Sequence, residues 1–114
     1  MFRLDGKISD VKPNPNIKVI KFGGYDYGEG LMFSITERNG TYAYFSIPVK
    51  DIPKNPIEES RLYSELVGSK AIYEREVFRI DTNNPRKEKS TLVIKSGKLK
   101  GLTLRYEGNC IDND

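Results

Sequence analysis

Apolar and polar residues alternate along most of this chain, which is the period of β-strands that bury one face. The alternating runs cover residues 2–11, 17–22, 31–38, 41–49, 70–80, 91–95 and 102–106. In the first run, Gly6 interrupts the apolar positions Phe2, Leu4 and Ile8, which favours a bend, a bulge or a close approach of another backbone. Residues 12–16 have the composition of a turn, so the first two runs are predicted to form one long broken strand.

Two of the connections carry strong turn signals. Asn39 and Gly40 tolerate the positive φ of a type I′ turn, so residues 31–38 and 41–49 are predicted to pair as a hairpin. Residues 23–30 contain four glycines and are predicted to form a flexible loop that carries Tyr25 and Tyr27. The apolar parity changes within residues 70–80, which predicts a bulge near Arg75.

A single helix is predicted over residues 56–67. Asn55 is a favoured N-cap, Pro56 suits the first helical position, and Gly68 ends the helix. The chain is therefore predicted to be all-β with one helix. Its 114 residues allow one domain, placed at residues 1–108, and residues 109–114 are expected to be a short mobile acidic tail with Cys110 as a free thiol.

The order of these elements, with the helix between the third and fourth strands, matches the five-stranded Greek-key barrel of the OB-fold. Two short segments carry a more specific likeness: LDGKI at residues 4–8, and ELVGSKAIY at residues 65–73, where the helix runs into Gly68, Ser69 and Lys70. In these segments the chain resembles the single-stranded DNA-binding protein family, above all its small bacteriophage members. The resemblance implies an OB barrel that binds single-stranded DNA.

Composition narrows the function classes. Histidine is absent, and most acid–base and transition-metal chemistry near neutral pH depends on it, so we expect no enzyme, no metal and no cofactor. One cysteine allows no internal disulfide. No apolar run is long enough for a membrane span or a signal peptide, so we expect a cytoplasmic protein, in the host cytoplasm if it is phage-encoded.

Charge is distributed unevenly, although the net charge is only +3. Residues 79–105 contain eight basic residues and two acidic ones. Non-specific binding of single strands needs cations for phosphates and exposed rings for bases. In an OB-fold the loop between the fourth and fifth strands flanks the binding face, and the glycine loop flanks it on the other side. The predicted DNA-binding residues are therefore Tyr25, Tyr27, Arg38, Tyr42, Tyr44, Arg75, Arg79, Arg86, Lys87 and Lys89.

Other interpretations of the same residues stay open. Exposed tyrosines on strands also pack against neighbouring strands, subunits or partner proteins, so the main alternative is a small protein-interaction module, such as a phage-encoded adaptor or inhibitor. RNA binding is a third possibility. Lys95, Lys98 and Lys100 are expected to form a solvated face. Small OB modules gain affinity by multivalency, so we expect a homodimer or homotetramer that meets replication or recombination proteins.

Overall fold

The computed structural model describes residues 1–112. These residues form seven strands and one helix, which confirms a mostly β chain with one helix but not the predicted count of five strands. Within residues 1–112, no helix is long and apolar enough to cross a membrane. In chain order the elements are β1 (Phe2–Lys21), β2 (Gly24–Glu37), β3 (Tyr42–Pro48), α1 (Pro56–Leu66), β4 (Lys70–Phe78), β5 (Lys87–Ile94), β6 (Thr103–Asn109) and β7 (Ile111–Asp112).

The strands form one strongly curled sheet in the order β3-β2-β1-β4-β5-β6, and β7 pairs with β1. All of these pairs are antiparallel. The Cys110 amide donates to the Arg86 carbonyl, and the Cys110 carbonyl accepts from the Ile20 amide, each at 2.9 Å. Hydrogen bonds therefore run in a circuit from β1 through β4, β5 and residues 110–112 back to β1, and this C-terminal segment closes one side of a half-barrel.

The predicted mobile tail is wrong for residues 109–112. Asn109 ends β6, and Cys110 and Ile111 are 5% and 2% exposed. Hydrophobic burial and pairing with β1 fix this segment, so the folded unit extends at least to residue 112. Residues 113 and 114, which the predicted tail included, lie outside the described residues.

The predicted long broken strand is confirmed as β1, which runs from Phe2 to Lys21 without the turn expected at 12–16. The predicted glycine loop is wrong for residues 24–30, which are paired in β2, whereas residues 22 and 23 form the turn of this long hairpin. Register shifts between Ile8 and Asp10 and between Asn14 and Ile17 replace the turn. Gly30 is required here, since a Cβ atom on it would lie 2.4 Å from the Ile17 side chain and 2.2 Å from the Ile47 carbonyl oxygen. Gly30 thus permits a close contact between strands.

The β2–β3 hairpin forms as predicted, but its turn differs. Among the described residues only glycines have positive φ, so Asn39 does not adopt the conformation of a type I′ turn. The Gly40 amide donates to the Glu37 carbonyl at 3.0 Å, and Gly40 has φ +87°. This is a type I turn followed by a left-handed glycine, the usual three-residue hairpin loop.

The main core lies between the concave side of the sheet and α1. Asn55 caps the helix by accepting from the Ile57 amide at 2.9 Å, as predicted, and Leu66 inserts fully into the core. Phe45 stacks on Tyr73 with ring centroids 3.7 Å apart. Strand β4 pairs with β5 in continuous register from Ala71 to Phe78, so the predicted bulge near Arg75 is absent.

A buried ion pair lies at the end of this core. Glu88 is fully buried, and its Oε1 accepts from Arg75 Nη2 at 3.0 Å and from the Ile111 amide at 2.7 Å. Ser90 donates to the other carboxylate oxygen. Arg75 Nη2 also donates to the Ile111 carbonyl at 2.8 Å and contacts Cys110 Sγ at 3.1 Å. The pair therefore joins β4, β5 and the closing segment.

Glu88→Gln should lower the free energy of unfolding by about 3 kcal/mol, because it leaves the half-buried Arg75 charge uncompensated. Urea denaturation at neutral pH measures this change. Glu107→Gln is the matched control, since its partner Lys89 is 3.8 Å away and both side chains are more than half exposed; we expect less than about 0.5 kcal/mol there. Equal effects of the two substitutions would contradict a structural role for the buried pair.

Tyr73→Phe should not destabilise the protein at pH 7, because the buried phenol has no hydrogen-bond partner among the described residues and the neighbouring Ser90 hydroxyl donates to Glu88. Burial raises the pKa of Tyr73 to about 12, above the value near 10 of an unfolded chain. The folded state therefore holds this proton more tightly, and stability is lost as pH rises from about 10 to 12. Alkaline denaturation curves of wild type and Tyr73→Phe should diverge in that window, with the variant less sensitive.

Candidate nucleic-acid interface

Two tyrosine rings stand on the convex face of β3. Tyr42 and Tyr44 are 59% and 54% exposed, and their rings meet edge to face with centroids 5.6 Å apart. They are in register with Thr36 and Ser34 of β2. The alternation of β3 turns Phe45 inward and leaves both tyrosines outside, as predicted. Exposed rings at this spacing offer stacking surfaces for planar ligands.

A band of hydroxyl groups separates these rings from β1. The Ser9 and Ser34 hydroxyls are 2.8 Å apart, and Thr36 Oγ1 donates to Ser9 Oγ at 3.0 Å. Ser9 occupies the first register shift of β1. Ser9 is exposed, Thr36 is partly exposed and Ser34 is buried, so this neutral band is accessible to a ligand only in part.

Lysines continue the same face across β1 and β4. Lys7 lies directly opposite Lys70 in the β1–β4 register, and the Lys95 amide donates to the Lys70 carbonyl at 2.7 Å. Lys98 and Lys100 follow in the turn after β5. All five side chains are exposed, and within residues 1–112 none forms an ion pair.

Rings and lysines form a continuous line, which we call the exterior row: Tyr42, Thr36, Lys7, Lys70 and Lys95. Each step crosses one strand spacing, so four steps span about 19 Å. Like charges directly opposite on antiparallel strands repel each other. The row therefore places unpaired positive charges beside one another, with aromatic rings at one end. Such a surface can bind a polyanion that carries bases: the lysines contact phosphates and the rings contact bases.

Three of the predicted basic ligands are engaged elsewhere. Arg75 points into the structure, and its guanidinium is bound to Glu88 and to the Ile111 carbonyl, so this predicted DNA ligand is not presented at the surface as a free cation. Burial lowers the pKa of Arg75, but the hydrogen bonds and the negative charge of Glu88 together outweigh it, so the pKa is raised above its ordinary value. Lys87 donates to Asn109, and Lys89 pairs with Glu107.

The remaining predicted arginines are exposed but do not converge. Arg38 lies in the β2–β3 turn, four residues before Tyr42 and near the ring end of the row. Arg79 and Arg86 lie in the β4–β5 loop, at the opposite end of β5 from Lys95. The eight residues of β5 place that loop about 25 Å from the row. The basic segment 79–105 is thus divided between the two ends of one strand.

Tyr25 and Tyr27 lie on β2 rather than on a loop, and they face away from Tyr42 and Tyr44. Alternation along β2 puts the odd-numbered residues on the side of Phe33, whereas Tyr42 and Tyr44 pair with the even-numbered Thr36 and Ser34. At the second register shift the extra residue belongs to β1, so the alternation of side chains along β2 continues unchanged from Phe33 to Tyr25. The predicted convergence of the four tyrosines in one groove is therefore wrong.

Sequence reasoning missed Lys7 and Lys70 and set Lys95 aside. Alternation did place Lys7 on the polar side of the first strand, but only the non-local β1–β4 pairing brings it beside Lys70.

Within residues 1–112 no cluster of carboxylate and thiol side chains is arranged to hold a metal ion.

The comparisons with known proteins give no family assignment: no protein family, no curated protein and no solved structure matches this chain. Arguments about function therefore rest on the geometry of the exterior row.

Lys70→Gln should raise the free energy of unfolding by about 0.2–1 kcal/mol at low salt, because it removes the repulsion with Lys7. Salt screens exposed charges, so the gain should disappear at about 1 M NaCl. Thermal denaturation at both salt concentrations measures it. A loss of stability at low salt would show that the pair is not repulsive.

Proposed function

We propose that this protein binds single-stranded nucleic acid, with single-stranded DNA as the expected ligand, without an enzymatic reaction. The observation that supports this proposal is the exterior row, which joins exposed rings to lysines that form no ion pair within residues 1–112. Bases stack on Tyr42 and Tyr44, and phosphates follow Lys7, Lys70 and Lys95. Arg38 extends the row at its ring end.

The two kinds of contact contribute differently. Each stacked base contributes about 1–3 kcal/mol and tolerates any sequence, whereas each neutralised phosphate of a single strand adds about 0.7 to the salt slope. Three lysine contacts correspond to a slope of about −2 in log affinity against log salt. Duplex DNA keeps its bases stacked inside and has no free ring to offer the tyrosines, so it should bind more weakly.

The strand order supports an OB-type architecture as part of this proposal. The strongly curled sheet, with β3, β2, β1, β4 and β5 in that order, is compatible with an OB-like fold, from which the strand count and the helix position differ. OB-folds bind oligonucleotides across the face of strands two and three. The exterior row begins on the corresponding face.

Fluorescence anisotropy of a labelled oligo-dT, compared with an equal-length duplex, tests the proposal. We expect single strands to bind more tightly, and Tyr42→Ala to weaken binding by about 1–3 kcal/mol. Tyr27→Ala is the matched control, because Tyr27 is equally exposed, at 61%, on the other face.

A second pair of variants tests the phosphate path. Lys7→Gln should reduce the magnitude of the salt slope by about 0.7, and Arg86→Gln should leave it unchanged. Absence of binding at low salt, or equal losses in Tyr42→Ala and Tyr27→Ala, would overturn the proposal. A competing oligo-U strand in the same assay decides between DNA and RNA.

A protein-interaction function is the second candidate, and one observation favours it. The far end of the β1–β2 hairpin exposes Phe22, Tyr25 and Tyr27 at 84%, 44% and 61%. Within residues 1–112, β2 has no partner on its other edge there, since β3 pairs only with Gly30 to Thr36. Free edges and exposed rings are typical of interfaces. This hairpin is also where a homodimer or homotetramer, or contacts with replication or recombination proteins, would form.

A further inference from the structure

A small cavity lies beside Tyr44, where β1 resumes after its second register shift. Its volume is about 160 Å³, which suits a single heterocycle rather than a length of chain. Ile17 and Ile111, both almost fully buried, and Met32 supply its apolar side. The remaining lining residues are Asn14, Asn16, Lys18, Tyr44, Phe45, Ser46 and Asp112.

The polar lining is partly fixed and partly free. Asn14 is held, because its Nδ2 donates to Ser46 Oγ at 3.1 Å and its Oδ1 accepts from the Asn16 amide at 3.1 Å. The side-chain amide of Asn16 is exposed and makes no hydrogen bond within residues 1–112. A side-chain amide offers a donor and an acceptor side by side, which matches the hydrogen-bonding edge of a base.

The charges around the cavity disfavour a phosphate inside it. Lys18 borders the cavity, but it lies opposite Tyr27 and its ammonium is 5.6 Å from the centre of the Tyr25 ring, so its charge is engaged there and not directed at an anion in the cavity. The Lys12–Asp10 pair, at 3.9 Å, is balanced on the part of β1 between the cavity and Lys7. A flat ligand with an apolar face and a neutral polar edge suits this site better than an anion.

We infer that this cavity binds one nucleobase of the strand that crosses the exterior row, and that it gives the protein a preference among bases. The base lies against Tyr44 and Met32, and its edge bonds to the amide of Asn16. This inference rests on the proposed function. It adds base selection to a row whose stacking and phosphate contacts are independent of sequence.

Binding of labelled oligo-dA, oligo-dC and oligo-dT of equal length to the full chain, with anisotropy as the readout, tests the inference. The wild type should bind one of the three at least about fivefold more tightly than the weakest. Asn16→Ala should bring all three within about twofold of one another, with the salt slope unchanged. Asn83→Ala, an exposed asparagine in the β4–β5 loop, is the matched control and should keep the preference.

An NMR measurement on the wild-type protein tests the same contact without any substitution. The side-chain NH₂ signals of Asn16 in a ¹⁵N correlation spectrum should move when the preferred oligonucleotide is added, and those of Asn83 should stay. Binding without base preference, or a preference that survives Asn16→Ala, would overturn the base site and leave the proposed function intact. Failure of every oligonucleotide to bind at low salt would overturn both.

Discussion

The carboxylate of Glu88 is the point on which the closure of this sheet depends. A buried charge is costly unless its hydrogen-bonding capacity is filled, and here the donors come from three separate parts of the chain: Arg75 of β4, Ser90 of β5 itself, and the Ile111 amide of β7. Arg75 reaches back to the Ile111 carbonyl, so both polar groups of that peptide segment are tied to one ion pair. The sheet can therefore close there in only one register.

This closure sets the course of β1, and β1 supplies both parts of the candidate site. Its first half pairs with β4 and brings Lys7 beside Lys70. Its second half pairs with β7, and that pairing encloses the cavity between residues 14–18 and Tyr44. The two register shifts allow β1 to pair with β4 in its first half and with β7 in its second half, because each shift rotates the side chains that follow it relative to the sheet. Close approach at Gly6, where a Cβ atom would lie 2.2 Å from the Thr36 carbonyl oxygen, keeps the curl tight.

Local signals in the sequence were enough for the helix, the β2–β3 hairpin and the inward positions of the central strands. They failed where a decision depends on distant partners. Residues 23–30 have the composition of a loop, yet pairing with β1 makes residues 24–30 a strand. Glu88 has the appearance of one acid in a basic loop, because no local pattern reveals that Arg75 and Ile111 surround it. Tyr42 and Tyr44 were identified by alternation alone, whereas Lys70 became part of the site only through the β1–β4 register.

The position of the carboxylates explains how a chain of net charge +3 acquires a strongly basic face. Each ion pair among residues 1–112 uses a cation outside the exterior row: Arg3, Lys12, Lys21, Arg75 and Lys89. The paired acidic residues thus neutralise cations elsewhere on the protein, and Lys7, Lys70 and Lys95 remain without an ion pair among the described residues. Local potential, and not net charge, determines where a polyanion is attracted. Because Arg75 is committed to closing the sheet, its charge is unavailable at the surface, and the cations that face solvent come from the opposite end of β4 and β5.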